Sequence, residues 1–389
     1  MMARTCFQQA RRLGDRYAGA VLAGGLAALA AYNLRQWRRD RALAVALRTA
    51  REESRPPVAG TPRVTILVAA WNEADLIERH VESVLALRYP NLEYVLCAGG
   101  TDDTYRLASR YERPGVVVLE QRPGEGKQAA LRRGLQHASG EIIFLTDADC
   151  LLDDDSFERT VAPIAAGEAA ATSGGSRPLA AQLASSVLAT YRWSADAYAS
   201  AHAPRDGEGL FGRNAAVARA ALAAAGDLRA DVATGTDYHL AKSLLASGLR
   251  IRQVAESQVA TRYPETVPAY LRQQRRWLRN LLVHGWGFRA YHEVAVTLRA
   301  SLIGLGMLAL PATLPLAGRG LLVLWLLALL NSAAGKVRYL AFAASVERSV
   351  NRRVIAAGWA SVLPLSLVEF VVWVAPLIDL LVPSWRRKW

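Results

Sequence analysis

The sequence predicts an α/β domain built on a mostly parallel sheet and flanked by interfacial and transmembrane α-helices. Short apolar runs alternate with helical patterns between residues 64 and 146. Uncharged stretches of membrane-spanning length lie on either side of that block. Charge is segregated in the same way within a net +13. Residues 1–60 carry 11 basic against 4 acidic residues, 61–261 carry 20 against 25, 262–299 carry 7 against 2, and 300–389 carry 9 against 3. The acidic centre argues against a nucleic-acid partner despite a pI near 10. Basic clusters beside apolar stretches are what a cytoplasmic membrane face selects.

Tyr17 to Leu34 has no charge and is bracketed by Arg11, Arg12 and Arg16 and by Arg35, Arg38, Arg39 and Arg41. Its length just spans a hydrocarbon core of about 30 Å. A signal peptide is the alternative, but the run ends in arginines rather than a cleavage site. Residues 1–41 are therefore expected to form an uncleaved transmembrane helix with basic flanks. Residues 42–62, with Pro56, Pro57, Gly60 and Pro62, read as a linker.

In the 63–262 block, Val64–Ala69, Tyr94–Cys97, Val116–Leu119 and Ile142–Thr146 read as strands. Helical spacing lies between them at Ile77, Val81, Val84 and Leu85, near Tyr105–Tyr111, and over Lys127–Ala138. Strand–helix alternation implies right-handed crossovers, and ligands of such sheets bind beyond the carboxyl ends of the strands. Residues 263–299 read as amphipathic interfacial helices, with arginines opposed to Trp277, Trp286, Phe288 and Tyr291. From Ala300 onward three apolar lengths read as C-terminal transmembrane helices. The last either spans or bends back at Pro364; three spans would put Arg386, Arg387 and Lys388 outside, against the positive-inside trend. Cys6, Cys97 and Cys150 show no CxxC spacing, so neither a zinc site nor a disulfide framework is expected.

Chemistry concentrates at a few places. Thr146-Asp147-Ala148-Asp149 closes an apolar strand, where carboxylates at i and i+2 point the same way and can share one hard cation. A helix cap or a solvated loop is the alternative, given Asp153, Asp154 and Asp155 just beyond. Arg122-Pro123-Gly124-Glu125-Gly126-Lys127 opens a helix with glycines and a cation, a phosphate cradle or a plain turn. Asp237, at the start of another helix, reads as an N-cap or as a general base beside Gly235. In Gln273-Gln274-Arg275-Arg276-Trp277, Arg276 can face a leaving diphosphate while Trp277 stacks on a sugar.

Taken in order, these pieces resemble an inverting, membrane-integral family 2 glycosyltransferase, the group of cellulose, chitin and hyaluronan synthases. Val68-Ala69-Ala70-Trp71-Asn72-Glu73 is similar to that family's opening strand and Asn-Glu pair. Gly126-Lys127 through Gly134 and Ser139-Gly140-Glu141 resemble its glycine-lysine helix and next strand, and Gln273, Arg276 and Trp277 its Gln-x-x-Arg-Trp motif. The resemblance implies a GT-A-type (Rossmann-like) domain. It also implies Asp147 and Asp149 holding a nucleotide-sugar and Mg2+ or Mn2+, Asp237 as catalytic base, and Asn72, Glu73, Lys127 and Arg276 as nucleotide-sugar contacts. Gln273 and Trp277 would meet the acceptor.

Two positions depart from the pattern. The resemblance implies a UDP-sugar as donor, but Cys97-Ala98-Gly99-Gly100 stands where the family usually has two aspartates, one of them a nucleobase contact, with only Asp102 and Asp103 further on, so the usual basis for uracil recognition is missing and another nucleotide stays open. Thr236 replaces the glutamate before Asp237. The implied function is sugar transfer to a polysaccharide or lipid-linked acceptor by a multi-pass plasma-membrane protein with a cytoplasmic catalytic domain. Processive synthesis, a single transfer to a membrane lipid, and non-catalytic nucleotide-sugar binding are its three forms.

Overall fold

The computed structural model describes the backbone of residues 2–381 and the side chains of residues 15–313 and 318–379. Arg386, Arg387 and Lys388 lie outside the described residues, as does the Cys6 side chain. The chain forms two compact units. One is Ala46–Leu183 with Asp196–Tyr263; the other comprises residues through Val45, Ala184–Ala195 and residues from Pro264 onward.

The first helix, α1 (Met2–Glu52), runs past the expected boundary at Arg41. The alanines and leucines of 42–47 continue it, so only residues beyond Glu52 remain for the expected 42–62 linker. Arg159 receives its end, donating to the carbonyls of Ala50, Arg51 and Glu53 at 2.7–3.2 Å.

The α/β unit carries strands β1 (Val64–Trp71), β2 (Leu92–Gly99), β3 (Val116–Glu120), β4 (Ile142–Asp147), β5 (Cys150–Leu151), β6 (Ala171–Pro178), β7 (Asp206–Gly207), β8 (Ala215–Ala218) and β9 (Ile251–Thr261). Their order is β3-β2-β1-β4-β8-β6-β9-β5, with β7 on β9. The first four are parallel, β8 is antiparallel to both neighbours, and β6 and β9 are parallel again. Val64 to Val68 is buried on both faces, so β1 reads as one apolar run rather than an alternation. One face packs Ile66, Tyr94 and Phe144 against Phe157, and the other packs Leu67, Val95 and Ile143 against Leu131, Leu240 and Leu244.

Helices α2 (Ile77–Leu85), α3 (Thr104–Ser109), α4 (Gly126–Leu135), α5 (Asp154–Ala165), α6 (Ala180–Ser185), α7 (Val187–His202), α8 (Arg219–Ala224) and α9 (Thr236–Ala246) connect these strands, the residues of α7 through Ala195 belonging to the other unit. Asp153 and Ser156 form a capping box on α5, so the Asp153-Asp154-Asp155 run is a helix start, separate from Asp147 and Asp149. The mostly parallel sheet flanked by helices agrees with the α/β fold class expected from the sequence.

The helical unit contains α10 (Val267–Gly287), α11 (Tyr291–Val346), α12 (Arg352–Ala360) and α13 (Val362–Leu381). α11 is interrupted at Gly318, whose φ of 81° only glycine adopts freely. Among the described residues four segments are long and apolar enough to cross a membrane: Asp15–Glu52, Tyr291–Thr313, Gly318–Val346 and Val362–Asp379. Residues 291–299 thus open the first apolar helix after α10 instead of extending the interfacial stretch. Pro364 falls in the first turn of α13, where its missing N–H is tolerated. Three ion pairs tie these helices: Asp40 to Arg338 at 2.8 Å, Glu369 to Lys336 at 2.5 Å, and Asp379 to Arg275 at 2.6 Å.

Candidate active site

The parallel register places Ala69 of β1 beside Cys97 and Asp147, so the carboxyl ends of β1, β2 and β4 lie level. Asp147 ends β4, and Asp149 follows two residues later at the edge of β5. Lys127, in the first turn of α4, makes an ion pair with Asp147, and both side chains remain half-exposed. Thr261 Oγ1 donates to Asp149 Oδ1 at 3.2 Å. Burial and then the neighbouring Asp147 push the Asp149 carboxyl above its ordinary range, against the pull of Arg213 and Lys127. Burial lowers Lys127, but Asp147, Asp237 and Asp149 outweigh it and hold the ammonium above its usual value.

Asp237 sits in the first turn of α9, but it is not the cap. Gly235 occupies that position in a left-handed conformation, φ 71°, and Asp237 Oδ1 accepts from the backbone N–H of Tyr238 at 2.9 Å. The helix begins on a residue that supplies no side chain, which leaves the carboxylate to face the cleft. Lys127, Thr146, Gly212, Thr236 and Asp237 line that cleft together. A Cβ built on Gly212 would stand 3.0 Å from Asp237 Cβ, so glycine is what permits this approach.

At the β1 end, Asn72 has φ 59° and its Oδ1 accepts from the Thr101 N–H at 2.7 Å. Asp102 braces the same turn, accepting from Ala74 N and from Thr104 Oγ1. Glu73 donates its N–H to Thr104 Oγ1, and its carboxyl is pushed up to about 7 by burial and then by Asp149. The structure therefore brings Asp147, Asp149, Lys127 and Asp237 together, with Asn72 and Glu73 at the adjoining strand end. Gln273, Arg276 and Trp277 belong to α10 in the other unit. There the Arg192 guanidinium lies 5.2 Å from the Trp277 ring centroid, and the buried Gln273 Oε1 has no hydrogen-bond partner.

Among the described residues no three His, Cys, Asp or Glu side chains converge into a metal cage. Two hard carboxylates crowded enough to raise Asp149 do fit a divalent cation that takes its remaining ligands from substrate phosphates and water. Three neighbours of the site carry little local signal in the sequence. Arg213 precedes β8, Thr261 ends β9, and the buried His80 hydrogen-bonds the carbonyl of Cys150 at 2.6 Å. Long-range strand order, not local pattern, delivers them.

Residues 62–280 match the family described as Glycosyltransferase like family 2. Poly-beta-1,6-N-acetyl-D-glucosamine synthases of Staphylococcus aureus and Staphylococcus epidermidis are 33% and 30% identical to this chain over 95 residues, 24% of it. The alignment spans about a quarter, 23%, of the length of those curated relatives. Among solved structures, a mannosyltransferase from Pyrobaculum calidifontis in complex with GDP-Man and Mn2+ superposes with a TM-score of 0.50 at 22% identity. That superposition covers 95% of this chain and all of the other, and it establishes a shared fold. With more than half of its length matched and its carboxylates, lysine and strand order in place, the chain belongs to glycosyltransferase family 2.

Proposed function

We propose that the protein is a membrane-integral, inverting glycosyltransferase that moves a sugar from a nucleotide-diphospho-sugar to a glycan or lipid-linked acceptor. The observation that carries this reading is the cleft in which Lys127 and Asp237 face each other beside Asp147. It supplies a cation for a leaving phosphate and a carboxylate for an incoming hydroxyl within one concavity. Asp237 takes the proton from the acceptor hydroxyl as that oxygen attacks the anomeric carbon. The bond from that carbon to the phosphate oxygen breaks, the nucleoside diphosphate departs, and the configuration inverts in a single displacement. Lys127 offsets charge on the departing phosphate. Asp147 and Asp149 are the residues that would hold Mg2+ or Mn2+, which when bound neutralises the diphosphate. Asn72 and Glu73 are assigned to the nucleotide-sugar, and the family resemblance assigns Arg276 to the donor and Gln273 and Trp277 to the acceptor.

The four apolar helices support a multi-pass protein of the plasma membrane with the domain expected over residues 63–262 in the cytoplasm. Similarity to polysaccharide synthases favours a polymer or a lipid-linked glycan as acceptor, with a UDP-sugar the first donor to test. Thr236 in place of an acidic residue beside Asp237 favours the second form, a single transfer to a membrane lipid.

Membranes containing the protein, Mn2+ or Mg2+ and a panel of radiolabelled nucleotide-sugars distinguish these forms. Label in a high-molecular-weight aqueous fraction identifies a polymer, and label in organic solvent identifies a glycolipid. Asp237→Asn is expected to lower either by about 100- to 10,000-fold while leaving nucleotide binding intact. Wild-type turnover in that variant would remove Asp237 as the base. Nucleotide-sugar binding with no transfer to any acceptor would leave a non-catalytic family member.

A further inference from the structure

We propose that Arg213 is a donor-binding residue of the α/β unit, whose guanidinium receives the diphosphate of the nucleotide-sugar; the inference rests on the reading above. Antiparallel pairing sets Leu145 of β4 opposite Ala215 of β8. Continuing that register by two residues brings Arg213 alongside Asp147. The Thr146 hydroxyl confirms the placement by donating to the Arg213 carbonyl at 2.8 Å.

The loop carrying Arg213 is fixed on every side. Asn214 N–H donates to the Phe211 carbonyl at 2.9 Å, Phe211 N–H to Ser173 Oγ at 2.9 Å, and Asn214 Nδ2 to the Gly175 carbonyl and to Ser257 Oγ, both at 2.9 Å. Gly212, one residue earlier, lies against Asp237. A four-residue turn thus lies against the proposed base on one side and is bonded on the other to Thr146, next to Asp147 at the strand end.

The side chain is held as firmly as the backbone. Arg213 Nη1 donates to Ser176 Oγ at 3.3 Å, and the guanidinium lies 5.8 Å from the Tyr263 ring centroid. Ser176 and Tyr263 hydroxyls are 2.9 Å apart, and Tyr263 donates in turn to Asp196 at 3.2 Å. Its charge bears on Asp149, Asp147 and Asp196. A planar fork on a rigid loop beside the carboxylates that would hold a diphosphate's metal suits two phosphate oxygens better than a flexible lysine does. The reading from sequence gave that charge-neutralising role to Lys127 and Arg276; the α/β unit has its own second cation.

The test is equilibrium binding of UDP, UMP, GDP and GMP, with Mn2+, to the purified full-length protein and to Arg213→Gln and Arg213→Lys. Gln can retain the bond to Ser176 without the charge, and the melting temperature of each variant is read alongside. Arg213→Gln is expected to weaken the bound nucleoside diphosphate by about 10- to 100-fold while changing the matching monophosphate by less than about twofold. Arg213→Lys recovers part of the loss. Equal weakening of both nucleotides, or none, would make Arg213 a structural counter-ion and overturn the proposal alone. Failure of the wild type to bind any nucleotide would overturn the glycosyltransferase reading itself, and this inference with it.

Discussion

Glu93 and Asp149 stand at opposite ends of the parallel strands β1 to β4, and the fold treats the two carboxylates differently. Glu93, at the amino ends, is buried and accepts from Thr65 Oγ1 at 2.5 Å, from Ser139 N at 2.7 Å and from Ser139 Oγ at 3.1 Å. Burial alone would raise it, but those hydrogen bonds outweigh burial and hold the carboxyl below its usual range. Asp149, at the carboxyl ends, has Thr261 and the Cys150 thiol as donors and Asp147 as a like-charged neighbour, and it is raised. A carboxylate satisfied on all sides joins strands. One left crowded and short of donors is poised to take a cation.

Asp149→Asn is the largest expected effect. Turnover should fall at least about 1,000-fold, the scale of losing several kcal/mol of leaving-group stabilisation. The melting temperature should hold or rise. A raised carboxyl pKa means that ionisation at neutral pH works against the fold, and asparagine removes that opposition. A large drop in melting temperature would put Asp149 in the same structural class as Glu93.

His80 gives the next effect, through pH. Its ring is fully buried, Nδ1 donates to the Cys150 carbonyl, Nε2 has no partner, and burial lowers its pKa to about 4. Because the folded value lies below the unfolded one, near 6.5, the stability is intact above about 6.5. It is lost as pH falls toward 4, by about 3 kcal/mol in all. Denaturant midpoints of the full-length protein across that window measure the slope. His80→Gln, with a donor but no proton to gain, should flatten it. Glu93→Gln comes third, at about 2 kcal/mol of stability with turnover per folded molecule unchanged. A variant that stayed folded but inactive would break the contrast between the two ends.

Much of this sheet was readable because its strands are buried on both faces: Val64–Val68, Val95–Cys97 and Ile142–Leu145 announce themselves as apolar runs. Asp147, Asp149 and Lys127 were readable for a related reason, since each sits where such a run or its following helix changes to polar. β5 to β9 were not. β5 and β7 have two residues each and β8 has four, too short for periodicity, while β6 is broken by Gly174-Gly175 and β9, though long, scatters Arg252, Gln253, Glu256 and Gln258 without a clean alternation. Arg213 and Asn214 carry no local pattern, because what places them is an antiparallel pairing across about 70 residues of sequence. The helical continuation through residues 42–52 was masked by nearby prolines that act only after the helix has ended.

Thr261 offers the smallest and most discriminating change. It ends β9, far from Asp149 in sequence, and its hydroxyl is the contact by which the second half of the sheet reaches the carboxylate. Replacing it with valine removes one hydrogen bond to a charged group while keeping the side-chain shape and strand preference. The fold should change by less than about 1 kcal/mol, since the backbone pairing to Cys150 and Leu151 is untouched. Turnover should fall by about 2- to 10-fold, because a less firmly oriented carboxylate would hold a divalent cation in a wider range of positions. Thr261→Ser should restore most of it. If valine lost stability and kept turnover, Thr261 would be stitching the sheet, as Thr65 does at the other end. The carboxyl ends would then be less distinct from the amino ends than Asp149 alone suggests.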